Sequence, residues 1–266
     1  MPPDNALVPV PERGPGDERA AGALCALAAC GLCGDCASVA PVGRIPAEGA
    51  AGETVAAKRL RAGQRLYRAG HLGEAVFALR AGLVKETVAL SGDKREAGER
   101  IVRLVGAGGI TGLAALVGEP HRHAAVVAGE ALCCRIPVAL LRRAVAHHAS
   151  GARAIWSGWL RALDDADLMI AGFASGPAQA RLARLVLYLL HQQGASARLR
   201  RRDAAALIGI TPVSISRLLS QFKRAGWIDE RNGQLMATDP DALAWVAHAP
   251  RGPSRDGAAV VAVSTR

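Results

Sequence analysis

The stretch from Arg202 to Met236 restricts the fold more than any other part of this chain. Asp203-Ala-Ala-Ala-Leu-Ile208 reads as a short helix, Gly209-Ile210 as a turn, and Thr211-Pro212 as the start of a second helix running to about Ala225. Threonine at the N-cap can accept from an orphan amide, and proline at the first helical position has the φ that a helix start requires. At helical spacing, Ile215, Leu218, Leu219 and Phe222 share one face, while Val213, Ser216, Arg217 and Ser220 share the opposite one. The first face is apolar and has to be buried. The second is small, hydrogen-bonding and cationic, as a helix in a major groove needs: arginine can take both acceptors of a guanine, and an apolar side chain can meet a thymine methyl. Within Gly226–Met236, Asn232-Gly233 stands between apolar residues, a strong β-hairpin signal. Helix, turn, helix and hairpin in that order make a winged helix. A helical pair with no DNA role would need neither the outward arginine nor the wing.

The rest of the chain has to carry that output. Its 266 residues, half of them apolar, suit two modest domains and a connector better than one core. The net charge of +10 is by itself a weak pointer to nucleic acid. Its distribution says more: Arg198, Arg200, Arg201 and Arg202 stand just ahead of the first helix of the motif, where phosphate contacts would position the protein without reading sequence. No run of about 18 or more strongly apolar residues marks a membrane span. Leu27-Ala-Ala-Cys30 looks like a lipoprotein cleavage box, but the apolar stretch before it is short and follows a polar, Pro-rich lead. A DNA-binding output places the chain in the cytoplasm, where its six cysteines suit metal or redox ligation better than structural disulfides.

In chain order, residues 1–22 are rich in Pro, Gly and charge without periodicity and are expected to be a disordered arm. Residues 23–40 carry Cys25, Cys30, Cys33 and Cys36, four cysteines in twelve residues of small, Gly-containing sequence. Thiolates so placed can converge on one soft metal centre. Cys133 and Cys134 lie far downstream in a predicted strand. Residues 41–140 then show short apolar runs punctuated by glycine, the pattern of an antiparallel sandwich or barrel. Within it, Gly106–Gly112 reads as a tight corner rather than a dinucleotide loop, and His121-Arg-His123 as a solvated loop. Residues 141–175 hold a long helix on which Ile155, Trp159, Leu163, Ala166, Ile170 and Phe173 repeat with coiled-coil spacing. Asp164, Asp165 and Asp167 crowd its middle, and charge there would weaken a dimer. Residues 176–248 form the DNA-binding domain, with a supporting helix at 181–193, and 249–266 a disordered tail. The fold class is α+β.

Leu-Arg-Ala-Gly-Leu-Val-Lys85, the Ser91-Gly-Asp93 turn, the Gly109-Ile-Thr-Gly112 corner, Cys134-Arg-Ile-Pro137 and Ile208-Gly-Ile-Thr-Pro-Val-Ser-Ile-Ser-Arg-Leu-Leu219 together resemble the CRP/FNR family of bacterial regulators. That resemblance covers roughly residues 25–245. It implies a cyclic-nucleotide-binding-like β-roll, a long dimerisation helix and a C-terminal winged helix-turn-helix, and no enzymatic activity. The implied partners are double-stranded DNA at a pseudo-palindromic operator, a second copy of the chain and RNA polymerase. Nucleotide-binding members resemble one another in a Gly-Glu-Leu-Gly corner followed by Arg-Ser. Here the corner is Gly109-Ile110-Thr111-Gly112 and the later pair is Arg122-His123, so the ribose acid is missing and a cyclic nucleotide is disfavoured.

The FNR branch of the family holds a [4Fe-4S] cluster on three N-terminal cysteines and one cysteine just before an Ile-Pro step. Cys134 matches the last of these, and the interval from Cys30 to Cys36 matches that between the second and third ligands. The first ligand does not match, because Cys25 precedes Cys30 by a longer gap than the family's and Cys33 falls inside the next one. The implied set is Cys30, Cys36 and Cys134, with Cys25 or Cys33 as the fourth. Cys133 faces the other side of its strand. Oxygen or nitric oxide would convert the cluster and loosen the dimer. Ser216 and Arg217 match the family's reading pair, while Val213 replaces a glutamate that would accept from cytosine, so the half-site departs from the usual one. Thiol redox chemistry, structural zinc or a small ligand on the same scaffold is the alternative input.

Overall fold

A computed structural model describes residues 43–46, 54–89, 99–147, 149–193, 197–198 and 200–248. The four N-terminal cysteines, both expected disordered ends and the Ser91–Asp93 turn lie outside the described residues. Seven strands form one antiparallel sheet that rolls on itself: β1 (Gly43–Pro46), β2 (Thr54–Leu60), β3 (Arg65–Tyr67), β4 (Ala75–Ala89), β5 (Glu99–Val105), β6 (Ile110–Thr111) and β7 (Ala124–Pro137). The order is β1-β2-β7-β4-β5, with β3 on β7 and β6 on β4. Val, Ile, Leu and Ala at alternate positions give β4 and β7 two apolar faces, and the two strands pair along almost their whole length. Glycine punctuation implies a strand break inside 75–89, but the break is a bulge. Gly82 has φ +88°, and a Cβ there would sit 2.1 Å from the Glu130 carbonyl oxygen, so only glycine lets β4 continue.

The helices α1 (Val138–His147) and α2 (Ala149–Leu168) follow, and α2 continues through a single π-helical stretch at Met169–Phe173. The helix α3 (Ala178–Gln193) leads through the short β8 (Ala197–Arg198) to α4 (Arg201–Ile208) and α5 (Pro212–Arg224). Strands β9 (Ile228–Arg231) and β10 (Gln234–Ala237) and the helix α6 (Pro240–His248) complete the described chain. No single helix among the described residues is long and apolar enough to cross a membrane.

Two cores lie in the roll, one on each face of the β4–β7 pair. Ala75, Phe77, Leu79, Val84, Val127 and Cys133 fill one; Val76, Ala78, Ile110, Cys134 and Ile136 meet α1 and α2 in the other. The third core belongs to both halves of the molecule. Leu83, Ile101 and Leu104 of the roll pack with Phe173, Leu182, Leu185, Leu207, Ile215 and Phe222 in one continuous cluster. Lys85 adds an ion pair to Asp203 of α4 at 2.5 Å, and the Tyr188 hydroxyl donates to the Leu104 carbonyl at 3.4 Å. The DNA-binding end is therefore packed directly onto the roll.

Candidate nucleic-acid interface and sensor site

The reading head is built as the sequence requires. Gly209, with φ +70°, ends α4 in a left-handed cap, and the Arg181 guanidinium donates to the Ile208 carbonyl beside it. The two helices meet at 103°. The Thr211 hydroxyl accepts from the Ser214 amide at 3.1 Å, and Pro212 occupies the first turn of α5. Ile215, Leu219 and Phe222 are fully buried, with Leu218 partly so, which leaves the opposite face to solvent. There Val213 is 60% exposed and Ser216, Arg217 and Ser220 are exposed as well. Ser216 and Ser220 donate their hydroxyl hydrogens to the Pro212 and Ser216 carbonyls, so their oxygens keep acceptor capacity on the outer face. Asn232 (φ +53°) and Gly233 (φ +73°) form the tight turn of the wing between β9 and β10.

Of the arginines leading into α4, Arg198 and Arg200 before it and Arg202 in its first turn are exposed. Arg201 is not free in the same way. Its guanidinium donates to both Glu230 oxygens, at 2.6 and 2.8 Å, and Lys223 reaches the same carboxylate. The fold uses Arg201 to join α4, α5 and the wing. These two cations hold the Glu230 carboxyl below its ordinary range, against the upward push of partial burial.

A seam expected along the long helix divides between two jobs. Ile155 and Phe173 are buried, and Trp159 packs against the roll core. The stripe left open is Trp156, Leu160, Leu163 and Ile170, each more than 60% exposed, with Asp167 within it and Asp164 beside it. The open stripe thus runs through Trp156 rather than Ile155, because the roll takes the neighbouring face. Asp165 turns inward, and burial pushes its carboxyl up to about 6 despite the nearby Arg103.

The cysteines of β7 face opposite ways. Cys134 lies in the core shared with α1 and α2, and Cys133 in the roll interior; each is only 1% exposed. Burial and the adjacent Cys134 push the Cys133 thiol up to about 11. The register sets Gly43, Ala57, Cys134 and Ala78 on one row across β1, β2, β7 and β4.

Between the roll and α2 lies a cavity of about 1020 Å³, bounded by Tyr67, Glu86, Arg103, His123, Trp159 and Leu207 among others. Sequence reasoning missed the acid at its base. Glu86 is buried, and one of its carboxylate oxygens accepts from the Tyr67 hydroxyl (2.8 Å), the Thr111 hydroxyl (2.5 Å) and the Arg103 guanidinium (2.8 Å). His123 Nδ1 is 3.5 Å from the other oxygen. Burial alone would push the Glu86 carboxyl up, but His123, Arg103 and the two hydroxyls together bring it down to about 2. His121, expected to be solvated, is buried and stacked on Tyr67 at 3.9 Å between ring centroids, and burial lowers its pKa. The available signal was a charged Lys85-Glu86 pair inside an apolar strand, which is costly unless the inward member has partners.

A winged helix-turn-helix joined by a long helix to an antiparallel roll defines a DNA-binding protein with a second, all-β domain. Residues 57–148 match the cyclic nucleotide-binding domain and residues 180–245 the Crp-like helix-turn-helix domain. The chain belongs to the CRP/FNR family of transcriptional regulators, whose members are not enzymes. It is 27% identical over 202 residues to the fumarate and nitrate reduction regulatory protein of Escherichia coli K12, covering 71% of this chain and 78% of that one. The protein of the same name from Yersinia pestis is 26% identical over 206 residues, covering 73% and 79%. Among solved structures, FixK2 of Bradyrhizobium japonicum superposes with a TM-score of 0.64 at 21% identity, over 74% of this chain and 98% of that one. A CRP-family transcriptional regulator of Thermus thermophilus gives 0.61 at 22%, over 74% and 100%. The chain is a DNA-binding transcriptional regulator.

Proposed function

We propose that a [4Fe-4S] cluster sensing oxygen or nitric oxide governs dimerisation and operator binding by this regulator. The observation that carries the reading is the place of Cys134 on the row that runs from Gly43 through Ala57. Two strand spacings separate Gly43 from Cys134, about 10 Å. The segment from Cys36 to Gly43 can span about 23 Å when extended, so the thiolates of Cys36 and Cys134 can reach one centre. Ala57 and Ala78 flank Cys134 on its own face with minimal bulk. Cys134, Cys36, Cys30 and one of Cys25 or Cys33 would hold the cluster, and relatives named for fumarate and nitrate reduction support the assignment. When bound, the cluster would supply an oxidant-labile centre of soft sulfur ligands.

The chain's own residues carry that input onward. Cys134 shares a core with Ala154 and Ile155, so whatever fixes β7 also fixes the start of α2. The helix offers Trp156, Leu160, Leu163 and Ile170 to a second copy. Asp167 in the same stripe keeps that interface marginal, and a marginal equilibrium is easily tipped. The dimer would set two α5 helices about one DNA turn apart on a pseudo-palindromic operator, where RNA polymerase is recruited or blocked in the cytoplasm. Val213, Ser216, Arg217 and Ser220 would read bases, and Arg200 and Arg202 would hold phosphates.

The test is anaerobic purification with an absorbance spectrum and iron and sulfide analysis, before and after brief exposure to air. About four irons and four sulfides per chain, lost in Cys134→Ser but kept in Cys133→Ser, would support the proposal. A colourless, iron-free chain that still binds DNA would overturn it. The cavity above Glu86 favours a second reading in that case, a small ligand wedged between the roll and α2.

A further inference from the structure

Four hydrogen-bonding side chains meet at the base of the cavity, and each comes from a different part of the roll: Tyr67 from β3, Arg103 from β5, Thr111 from β6 and His123 from the residue before β7. None of them carries a carboxyl, and together they have the form of a receptor for one. Two hydroxyls and a guanidinium donate to one oxygen, and an imidazole stands 3.5 Å from the other. The anion that fills the receptor belongs to the chain. Glu86 enters from β4, and among the described residues it is the one ion-pair partner of Arg103 and of His123. Asp165, the other acid turned toward Arg103, forms no ion pair with it.

One wall of the receptor rests on α2. Arg103 also donates to the Ile110 carbonyl at 3.0 Å, and Thr111 follows Ile110 directly. Ile110 packs with Ala154 and Ile155 of α2 in a single core. At Gly158 the contact has no slack, since a Cβ there would lie 2.9 Å from Ile110 Cδ1. The seat of the anion therefore sets the seat of β6, and β6 sets the middle of α2.

We propose that Glu86 is a tethered ligand: its carboxylate fills an anion receptor made by Tyr67, Arg103, Thr111 and His123, fixes α2 through β6, and denies those donors to any acidic molecule in the cavity. A free carboxylate would have to displace one that its own strand holds in place, at an effective concentration no dissolved acid matches. The receptor thus selects against small acids while keeping the roll in the form that a bound acid would give it.

The test needs neither DNA nor an iron-sulfur centre. Glu86→Ala removes the atoms of an acetate ion, so added acetate can refill the receptor. Melting temperatures of the full chain, purified anaerobically, are compared in sodium acetate and in sodium chloride of equal ionic strength at about pH 7, where a carboxylate is ionised. With a dissociation constant on the order of 10 mM, acetate at about 0.2 M should raise the melting temperature of Glu86→Ala by about 4 to 7 °C more than chloride does. Wild type and Glu86→Gln, whose receptors are filled, should show only the general effect of the salt. Glu86→Ala combined with Arg103→Met should lose the gain. Hydrogen exchange gives a second readout: amides of α2 around Gly158 should exchange several-fold faster in Glu86→Ala and be slowed again by acetate, while those of α5 stay as in wild type. A gain from acetate no larger in Glu86→Ala than in wild type, or one that survives the loss of Arg103, overturns the proposal. So does refilling that leaves the protection of α2 unchanged. If Glu86→Ala is insoluble in chloride, refolding from urea in the two salts replaces melting, and equal yields overturn the proposal as surely.

Discussion

Removing the charge of Glu86 tests whether the network at the base of the cavity holds the roll together. The carboxyl is lowered from 4.5 to about 2, mainly by His123 and Arg103 acting against burial. That difference corresponds to about 3 kcal/mol in favour of the folded, ionised form. A depressed carboxyl contributes its stability above the unfolded value of 4.5, and the contribution is lost as pH falls toward 2. Glu86→Gln should therefore lower the melting temperature at pH 7 by about 6 to 12 °C, from about 2 to 4 °C per kcal/mol for a chain of this size. The gap should narrow as the buffer is taken from about pH 7 to about pH 3. A second variant tells charge from shape: Glu86→Gln leaves the Arg103 guanidinium, only 11% exposed, without its counter-ion, so adding Arg103→Met should restore part of the loss. Scanning fluorimetry of the three proteins across that pH range decides the matter. A Gln variant within about 2 °C of wild type at pH 7, or a gap that does not change with pH, refutes the network as a source of stability.

Three further outcomes are expected. Arg217→Ala should abolish specific operator binding while leaving weak, salt-sensitive binding to random duplex, because phosphate contacts survive it; a filter-binding comparison on both DNAs checks this. Asp165→Asn should raise the melting temperature at about pH 8 and leave it nearly unchanged at about pH 4, since a buried carboxyl raised to about 6 costs stability only where it is forced to ionise. Asp167→Ala should tighten the dimer by several-fold in sedimentation velocity of the cluster-free chain, because a like-charge pair leaves the exposed stripe of α2.

The reading head was legible because each of its signals is local. Thr211, Pro212, the period of Ile215, Leu219 and Phe222, and the Asn232-Gly233 turn act within a few residues, and the fold keeps them all. The long helix was legible as a helix but not in its register. Its apolar residues cover more than one face, and only the roll's claim on Ile155 and Trp159 shows that Trp156 and Leu160 are left exposed. Gly82 looked like a boundary because a glycine that ends a strand and one that bulges it read alike. Glu86, His121 and His123 were missed for a different reason. Tyr67, Arg103 and Thr111 come to Glu86 from other strands, with separations of 17 to 44 residues along the network's hydrogen bonds, so it exists only once the roll closes.

The core shared by Leu83, Ile101 and Leu104 with α3, α4 and α5 bears on how such proteins can be rearranged. A reading head held only by a hinge could be cut off and attached to another sensor at a linker. This one would carry a bare apolar scar at the cut, and so would the roll left behind. Exchange of heads between relatives would succeed only when the strands β4 and β5 travel with them. Specificity for DNA and the sensor surface beneath it are thus inherited as a pair.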